Sequence, residues 1–343
     1  MATILLTGGA GYIGSHIAVC AIEAGHEVVI LDNFCNSQTD IADRLLQITG
    51  KTSVVVEGDV RDTGLVKDII SEHGVVHVIH LAGLKSVEES IDERERYFDN
   101  NVAGTDSLME AMAQVGIFHI VFSSSATVYG EPEYLPLDET HRLEGVNPYA
   151  DTKIAAEQIL EKRCLEDVRW KAVSLRYFNP VGAHESGLLG DNTRAKRANL
   201  MPMIARVVMG QRSRLEIYGD DYDTPDGTCL RDYIHIMDLA EGHLSALRFI
   251  NQSSGFNVFN LGTGSGVSVL ELVNAFQKVT GEDVPYLISP RRDGDVPICY
   301  ADCNKAADFL GWKATRPLED MCESTWQWCQ ANSRDKQQVE SGR

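Results

Sequence analysis

Short apolar runs alternate with helix-period stretches along the first half of the chain. Runs at 3–7, 27–32, 54–58, 76–81, 118–123 and 172–177 predict strands; stretches at 12–24, 38–49, 62–73, 94–114 and 149–166 predict helices. Strands separated by helices imply a parallel sheet with right-handed crossovers and helices on both faces. The expected class is therefore α/β, a Rossmann-type doubly wound sheet whose ligands bind outside the carboxyl ends of the strands. Those ends carry Asp59 after the third strand, Ala82-Gly83-Leu84-Lys85 after the fourth, Ser123-Ser124-Ser125 after the fifth and Phe178-Asn179 after the sixth. They are scattered in sequence, yet the topology gathers them at one rim.

After Phe178 the pattern changes. Residues 179–232 are rich in Gly, Pro, Asn and Asp, with one helical stretch near 199–209. Phe256–Leu261 reads as a strand returning to the sheet edge, and helices are expected near 268–280 and 318–330. The expected organisation is a first domain over 1–178 with a returning segment near 232–262, a smaller C-terminal domain over 179–332 that caps the cleft, and a polar, disordered tail over 333–343.

The start of the chain carries the first chemical signal. Thr3–Thr7 runs into Gly8-Gly9-Ala10-Gly11-Tyr12-Ile13-Gly14; a helical stretch follows up to Gly25, and a second apolar run ends in Asp32. Strand, glycine turn, helix, strand and acid stand in the order a dinucleotide-binding βαβ unit requires. Gly8, Gly11 and Gly14 let backbone approach a pyrophosphate, and the helix N-terminus offers N–H donors to that anion. Asp32 is placed to accept both ribose hydroxyls. No Arg or Lys follows it in Asn33-Phe34-Cys35-Asn36-Ser37, so a 2′-phosphate would meet a carboxylate and no cation. NAD is favoured over NADP.

A second signal lies in Asn147-Pro148-Tyr149-Ala150-Asp151-Thr152-Lys153. Asn147 suits an N-cap and Pro148 the first helical position. Tyr149 and Lys153, four apart, share a helix face. A nearby ammonium and the helix dipole favour the phenolate. For the phenol to act as a base at neutral pH its pKa must fall by roughly 3 units from ~10, or about 4 kcal/mol.

Bulk properties narrow the partners. The 343 residues suggest about two domains. A net charge of −19 argues against nonspecific nucleic-acid binding and attraction to anionic membranes. It also means that an anionic substrate needs local cations. No apolar run reaches the ~20 residues of a membrane span, and a first strand beginning at Thr3 is expected to leave no room for a leader. The 8 cysteines form no Cys-x-x-Cys pair and read as reduced, mostly buried thiols of a cytoplasmic protein. His77 and His80 lack partners that would complete a metal set, so no metal is expected.

With glycine turn, Ser125, Tyr149 and Lys153 in place, the chain resembles the extended short-chain dehydrogenase/reductase superfamily and, within it, the UDP-glucose (UDP-galactose) 4-epimerase family. The resemblance runs from Thr3 to Trp328. Its most specific stretches are Thr7–His16, Leu31-Asp32-Asn33, Ala82–Val87, Phe122–Gly130, Leu175–Ala183, Asp226-Gly227-Thr228 and Arg231–His235. It implies that Tyr149 is the proton acceptor, that Lys153 holds the nicotinamide ribose and tunes Tyr149, and that Ser125 contacts the sugar. By the same resemblance Gly8, Gly11, Tyr12, Ile13, Gly14, Asp32, Asn33, Phe34, Cys35, Asn36, Ser37, Asp59, Val60, Leu81, Ala82, Gly83, Lys85, Asn100 and Phe178 look like NAD-binding residues. Asn179, Asn199, Leu200, Tyr218, Arg231, Arg292, Asp295 and Cys299 look like residues for a UDP-hexose. Arg231 and Arg292 would answer the electrostatic need, since guanidinium groups bind a pyrophosphate bidentately. Cys299 would line the sugar pocket beside C2, where a small residue leaves volume for an N-acetyl group and Tyr300 next door could fill it. Helices near 94–114 and 149–166 look like a homodimer interface. One departure lies in Tyr149-Ala150-Asp151-Thr152-Lys153, where many relatives carry Gly and Ser between the two; these positions are expected to face away from the Tyr149–Lys153 side. A nucleotide-sugar 4,6-dehydratase is the runner-up, but Ser125-Ala126-Thr127 lacks the acid pair that water elimination needs. A non-catalytic NAD-sensing regulator would have no need for Ser125, Tyr149 and Lys153 together.

Overall fold

The computed structural model describes residues 1–191, 199–292 and 294–341. Its centre is a seven-stranded parallel sheet. Six strands are β1 (Thr3–Thr7), β2 (Glu27–Asp32), β3 (Val54–Glu57), β4 (Val75–His80), β5 (His119–Ser125) and β6 (Lys171–Tyr177); the seventh is Gly255–Leu261. The order across the sheet is Gly255–Leu261, β6, β5, β4, β1, β2, β3. It reverses between β1 and β4, where such sheets open a crevice at their carboxyl ends. The inner strands are almost wholly apolar (Ile4-Leu5-Leu6, Val28–Leu31) because helices cover both faces.

Along the first half run α1 (Tyr12–Glu23), α2 (Ile41–Thr49), α3 (Thr63–Glu72), α4 (Val87–Asp92), α5 (Arg94–Tyr97), α6 (Gly104–Gln114) and α7 (Pro148–Glu166). The second half adds α8 (Leu200–Val208), α9 (Ile236–Ile250), α10 (Val269–Thr280), α11 (Asn304–Leu310) and α12 (Leu318–Ser341). One face packs Ile17 and Ile22 of α1 with Leu239, Leu244 and Leu247 of α9 and with Trp312. The other packs Val66 and Ile69 of α3, Leu108 and Met112 of α6 and Leu160 of α7. A third core joins Met201, Ile204, Leu272, Phe276 and Met321 around the parallel pair Leu215–Tyr218 and Tyr286–Ser289, beyond the main sheet.

Three expectations are corrected. The segment 94–114 is not one helix: α5 passes into a π-helical turn, Phe98–Ala103, and then into α6. The wide turn carries Asn101, whose side chain bonds both backbone groups of Leu84 (2.8 and 3.0 Å) and the Thr152 hydroxyl (3.0 Å). The last helix extends past 330 and past Ser333 to Ser341, so the polar tail continues a helix; Lys336, Gln337 and Gln338 are good helix formers. The helix α9 lies inside a segment read as a simple return to the sheet.

Candidate active site

The glycine turn is built for close approach. Gly8 has φ +70, and a Cβ there would lie 2.7 Å from the Ala82 nitrogen. A Cβ on Gly14 would lie 2.6 Å from the Gly8 carbonyl oxygen. Gly11 caps α1 without any side-chain bond, leaving the helix N-terminus, with Tyr12 and Ile13 as its first residues, open to an anion. Asp32 ends β2. Its Oδ2 accepts from Ala10 N (3.0 Å), and its Oδ1 accepts from Phe34 N (2.9 Å) and Ser37 Oγ (2.8 Å). Asn33 Oδ1 accepts from Cys35 N (3.2 Å), and Cys35 and Asn36 are exposed. Asp59 is gripped by Arg61 (2.7 Å), which holds its carboxyl low, at about 2. Val60 is buried beside the third-strand end, and Leu81 N donates to Thr7 O (3.0 Å). This glycine cradle, helix end and acid fit a dinucleotide: backbone and dipole for the pyrophosphate, carboxylate for the ribose.

The 81–85 loop joins that cradle to the helix that carries Tyr149 and Lys153. Ala82 backs Gly8; a Cβ on Gly83 would lie 3.8 Å from Lys153 Nζ; Lys85 is exposed. Asn100 Nδ2 donates to Asn101 Oδ1 (2.9 Å), the residue that ties the loop to Thr152.

The helix α7 starts as its sequence dictates, with Asn147 Oδ1 accepting from Ala150 N (2.9 Å) and Pro148 at the first position. Lys153 is buried. Its Nζ donates to Ser123 O (2.7 Å) and sits 4.8 Å from the Phe122 ring and 5.9 Å from the Tyr149 ring. Burial pushes its pKa down to about 8, with Glu157 opposing. Ser125 Oγ accepts from Thr127 N (3.3 Å) and Thr127 Oγ1 (3.0 Å). The expected depression of Tyr149 is not found in the protein alone: burial pushes the phenol up to about 12, against a lowering bond from Ser125. Desolvation outweighs the helix-face argument, because Lys153 spends its bond on Ser123 O and not on the phenol. Ala150 and Thr152 are buried, whereas Asp151 pairs with Arg94 (3.0 Å).

A second cluster gathers in the C-terminal half. Arg292 binds Asp295 through two nitrogens (3.1 and 2.8 Å) and lies 5.5 Å from the Tyr218 ring; Arg231 reaches the same carboxylate at 3.9 Å. Cys299 stands opposite Arg231 in a short parallel pair and packs on Phe178, Val128 and Ala301. Tyr300 lies against Gly266. Asn179 N donates to Asp232 O (2.9 Å). Asn199 caps α8, and Leu200, which opens it, packs into the third core. Sequence reasoning missed Thr127, Asn101, Tyr177 beside Tyr149, and Glu157. Only Glu157 carried a usable signal, its four-residue spacing from Lys153. All 8 cysteines are free thiols. Among the described residues no set of three or more His, Cys, Asp or Glu stands ready for a metal, and no helix is long and apolar enough to cross a membrane.

The parallel sheet, the glycine cradle and the Ser125–Tyr149–Lys153 set are those of an extended short-chain dehydrogenase/reductase. A family profile described as GDP-mannose 4,6 dehydratase matches residues 5–325. The UDP-glucose 4-epimerase of Bacillus subtilis (strain 168) is 49% identical over 329 residues, 96% of this chain and 97% of its own. A solved UDP-glucose 4-epimerase from Stenotrophomonas maltophila with bound NAD and formylated UDP-arabinopyranose is 45% identical, TM-score 0.96, covering 98% of this chain and 100% of its own. That of Bifidobacterium longum, in complex with NAD+ and UDP, is 47% identical, TM-score 0.93, covering 96% and 99%. The chain belongs to the UDP-glucose 4-epimerase family.

Proposed function

We propose that the protein interconverts UDP-glucose and UDP-galactose through a 4-keto sugar, with NAD held tightly throughout. The observation that supports this reading best is the meeting of the Tyr149–Lys153 helix with the glycine cradle: Lys153 Nζ lies 3.8 Å from where a Cβ on Gly83 would stand, next to the Ala82 backbone that backs Gly8, and bonds Ser123 O at the end of β5. NAD, when bound, supplies a hydride acceptor and donor at the sugar C4. The residues around it divide the remaining work. Gly8, Gly11, Gly14 and the α1 N-terminus take the pyrophosphate, and Asp32 the adenosine ribose. Lys153 holds the second ribose and keeps positive charge near Tyr149. Ser125 orients the sugar hydroxyl, and Tyr149 takes the proton from O4 and later returns it. With the phenol at about 12 in the protein alone, positive charge held beside it, from the Lys153 ammonium or from an oxidised nicotinamide if bound there, would lower it toward a working range. Arg231 and Arg292 anchor the UDP pyrophosphate while the sugar turns its other face, so contacts are tight at the nucleotide and loose at the hexose.

The dehydratase name of the matching profile does not redirect this reading, because the 3₁₀ turn Ala126–Tyr129 after Ser125 holds no carboxylate. The reading assigns residues 1–178 mainly to NAD and 179–332 mainly to substrate. It also includes turnover of UDP-GlcNAc and UDP-GalNAc: Cys299 is small, and the Tyr300 ring is turned toward Gly266. Wild type and Cys299→Tyr assayed on UDP-GlcNAc decide that point, and an inactive wild type ends it. A homodimer through α5–α6 and α7, a cytoplasmic place, and roles in galactose metabolism and glycan precursor supply complete the proposal. Tyr149→Phe tests the base: activity should fall by orders of magnitude while NAD stays bound, and near-normal turnover refutes the assignment.

A further inference from the structure

The catalytic helix carries a third polar residue on the side of Tyr149 and Lys153. Glu157 follows Lys153 by four positions, one turn further along α7. Its side chain is 3% exposed and is clamped from β6. Arg176 donates from Nε to Oε1 (3.0 Å) and from Nη2 to Oε2 (2.6 Å), and Ser174 Oγ donates to Oε1 (2.7 Å). Nothing in the proposed reaction uses this pair. A buried ion pair is weak evidence of stabilisation, because desolvation offsets its attraction. Its position, one turn from an equally buried ammonium, asks for another role.

Lys153 has little else to hold its charge. Its bond goes to a neutral carbonyl, and its other close neighbour is the Phe122 ring. Burial favours the neutral amine, and Glu157 is the group that opposes it. The other titratable groups nearby are His80 from β4, Tyr149 on the same helix and Tyr177 from β6. Burial holds His80 near 3 and raises both phenols, so at neutral pH none of them offers a counter-charge in the protein alone.

Resting on the assignment of Tyr149 and Lys153 above, we propose that Glu157 is a positioning residue for the reaction: the carboxylate fixed by Arg176 and Ser174 is the counter-charge that keeps the Lys153 ammonium in place beside Tyr149. Arg176 is its anchor, and the sign of each charge then matters more than the bond between them.

Glu157→Gln and Arg176→Met break the same ion pair, so a purely structural role predicts similar losses and unmoved pH profiles. The electrostatic role predicts opposite shifts. Glu157→Gln leaves a lone guanidinium and should bring the alkaline limb of kcat/KM down by about one pH unit, roughly tenfold in activity at the alkaline end. Arg176→Met leaves a lone carboxylate and should move that limb upward. If either single variant fails to fold, Glu157→Gln/Arg176→Met carries the test. It leaves no lone charge, and its alkaline limb should lie below that of wild type because the charge nearer Lys153 is gone. NAD content and Tyr149→Phe are measured alongside. If Tyr149→Phe turns over normally, the base assignment fails and this inference falls with it. If Tyr149→Phe is inactive and the profiles coincide with wild type, the role of Glu157 alone is refuted.

Discussion

Gly14→Ala separates helix propensity from the cofactor cradle. In an exposed helix interior the change gains about 1 kcal/mol. At position 14 the new Cβ would stand 2.6 Å from both the Gly8 carbonyl oxygen and Gly9 Cα. Reaching ordinary contact near 3.4 Å displaces the 8–9 turn by about 0.8 Å. That turn has nowhere to go. Gly8 N donates to Leu31 O (2.8 Å), and Gly8 already lies against the Ala82 backbone. Overpacking of this kind costs roughly 1–3 kcal/mol, so the clash outweighs the propensity gain. The same displacement moves the groups that cradle the pyrophosphate. A loss of about 2–3 kcal/mol there is a factor of about 30–150 in NAD affinity. The assay is NAD released from purified variant and wild type, with thermal melting in the presence and absence of added NAD. Low NAD content, and a melting temperature that NAD raises, are expected. A variant that melts higher than wild type and carries a full complement of NAD would refute the reasoning.

Further outcomes follow from the same geometry. Burial lowers His16 and His80 to about 3 and His77, His235 and His243 to about 4, against 6.5 when free. The unfolded chain therefore binds more protons between about pH 6.5 and 4, and stability drops as pH falls through that window. The slope is up to ~1.4 kcal/mol per unit for each fully buried histidine. Urea unfolding at pH 7 and pH 5 checks it, and equal free energies would contradict it. Arg292→Ala should raise KM for the UDP-sugar by about 10–100-fold with a smaller change in kcat, because anchoring at the diphosphate is shared by ground and transition states. Steady-state kinetics measure the split, and a fall in kcat alone would place Arg292 elsewhere.

What the sequence disclosed and what it hid have physical reasons. The β1–turn–α1–β2 unit and the α7 onset were legible because they depend on local rules: glycines where a Cβ would strike backbone, Asn147 and Pro148 at a helix start, an acid closing a strand. The α9 helix was not. Its apolar stripe, Ile236, Leu239, Leu244, Leu247 and Ile250, is interrupted by buried Asp238 and His243, which are satisfied inside the fold by Thr315, by Arg316 and by the Leu239 carbonyl. The π-helical turn at Phe98–Ala103 depends on a long-range bond from Asn101 to Thr152 that no local pattern announces. The direction of the Tyr149 shift was misread for the same reason: helix spacing is local, whereas burial is a property of the assembled fold. The arginine cluster at Asp295 came from the family resemblance, since Arg231 and Arg292 lie far apart in sequence and meet only through that carboxylate.

The most direct measurement is incubation of the purified protein with UDP-galactose and no added NAD. Appearance of UDP-glucose, with NAD released from the protein on denaturation, is the predicted result. Protein that carries no NAD, binds none and leaves UDP-galactose unchanged would contradict the account.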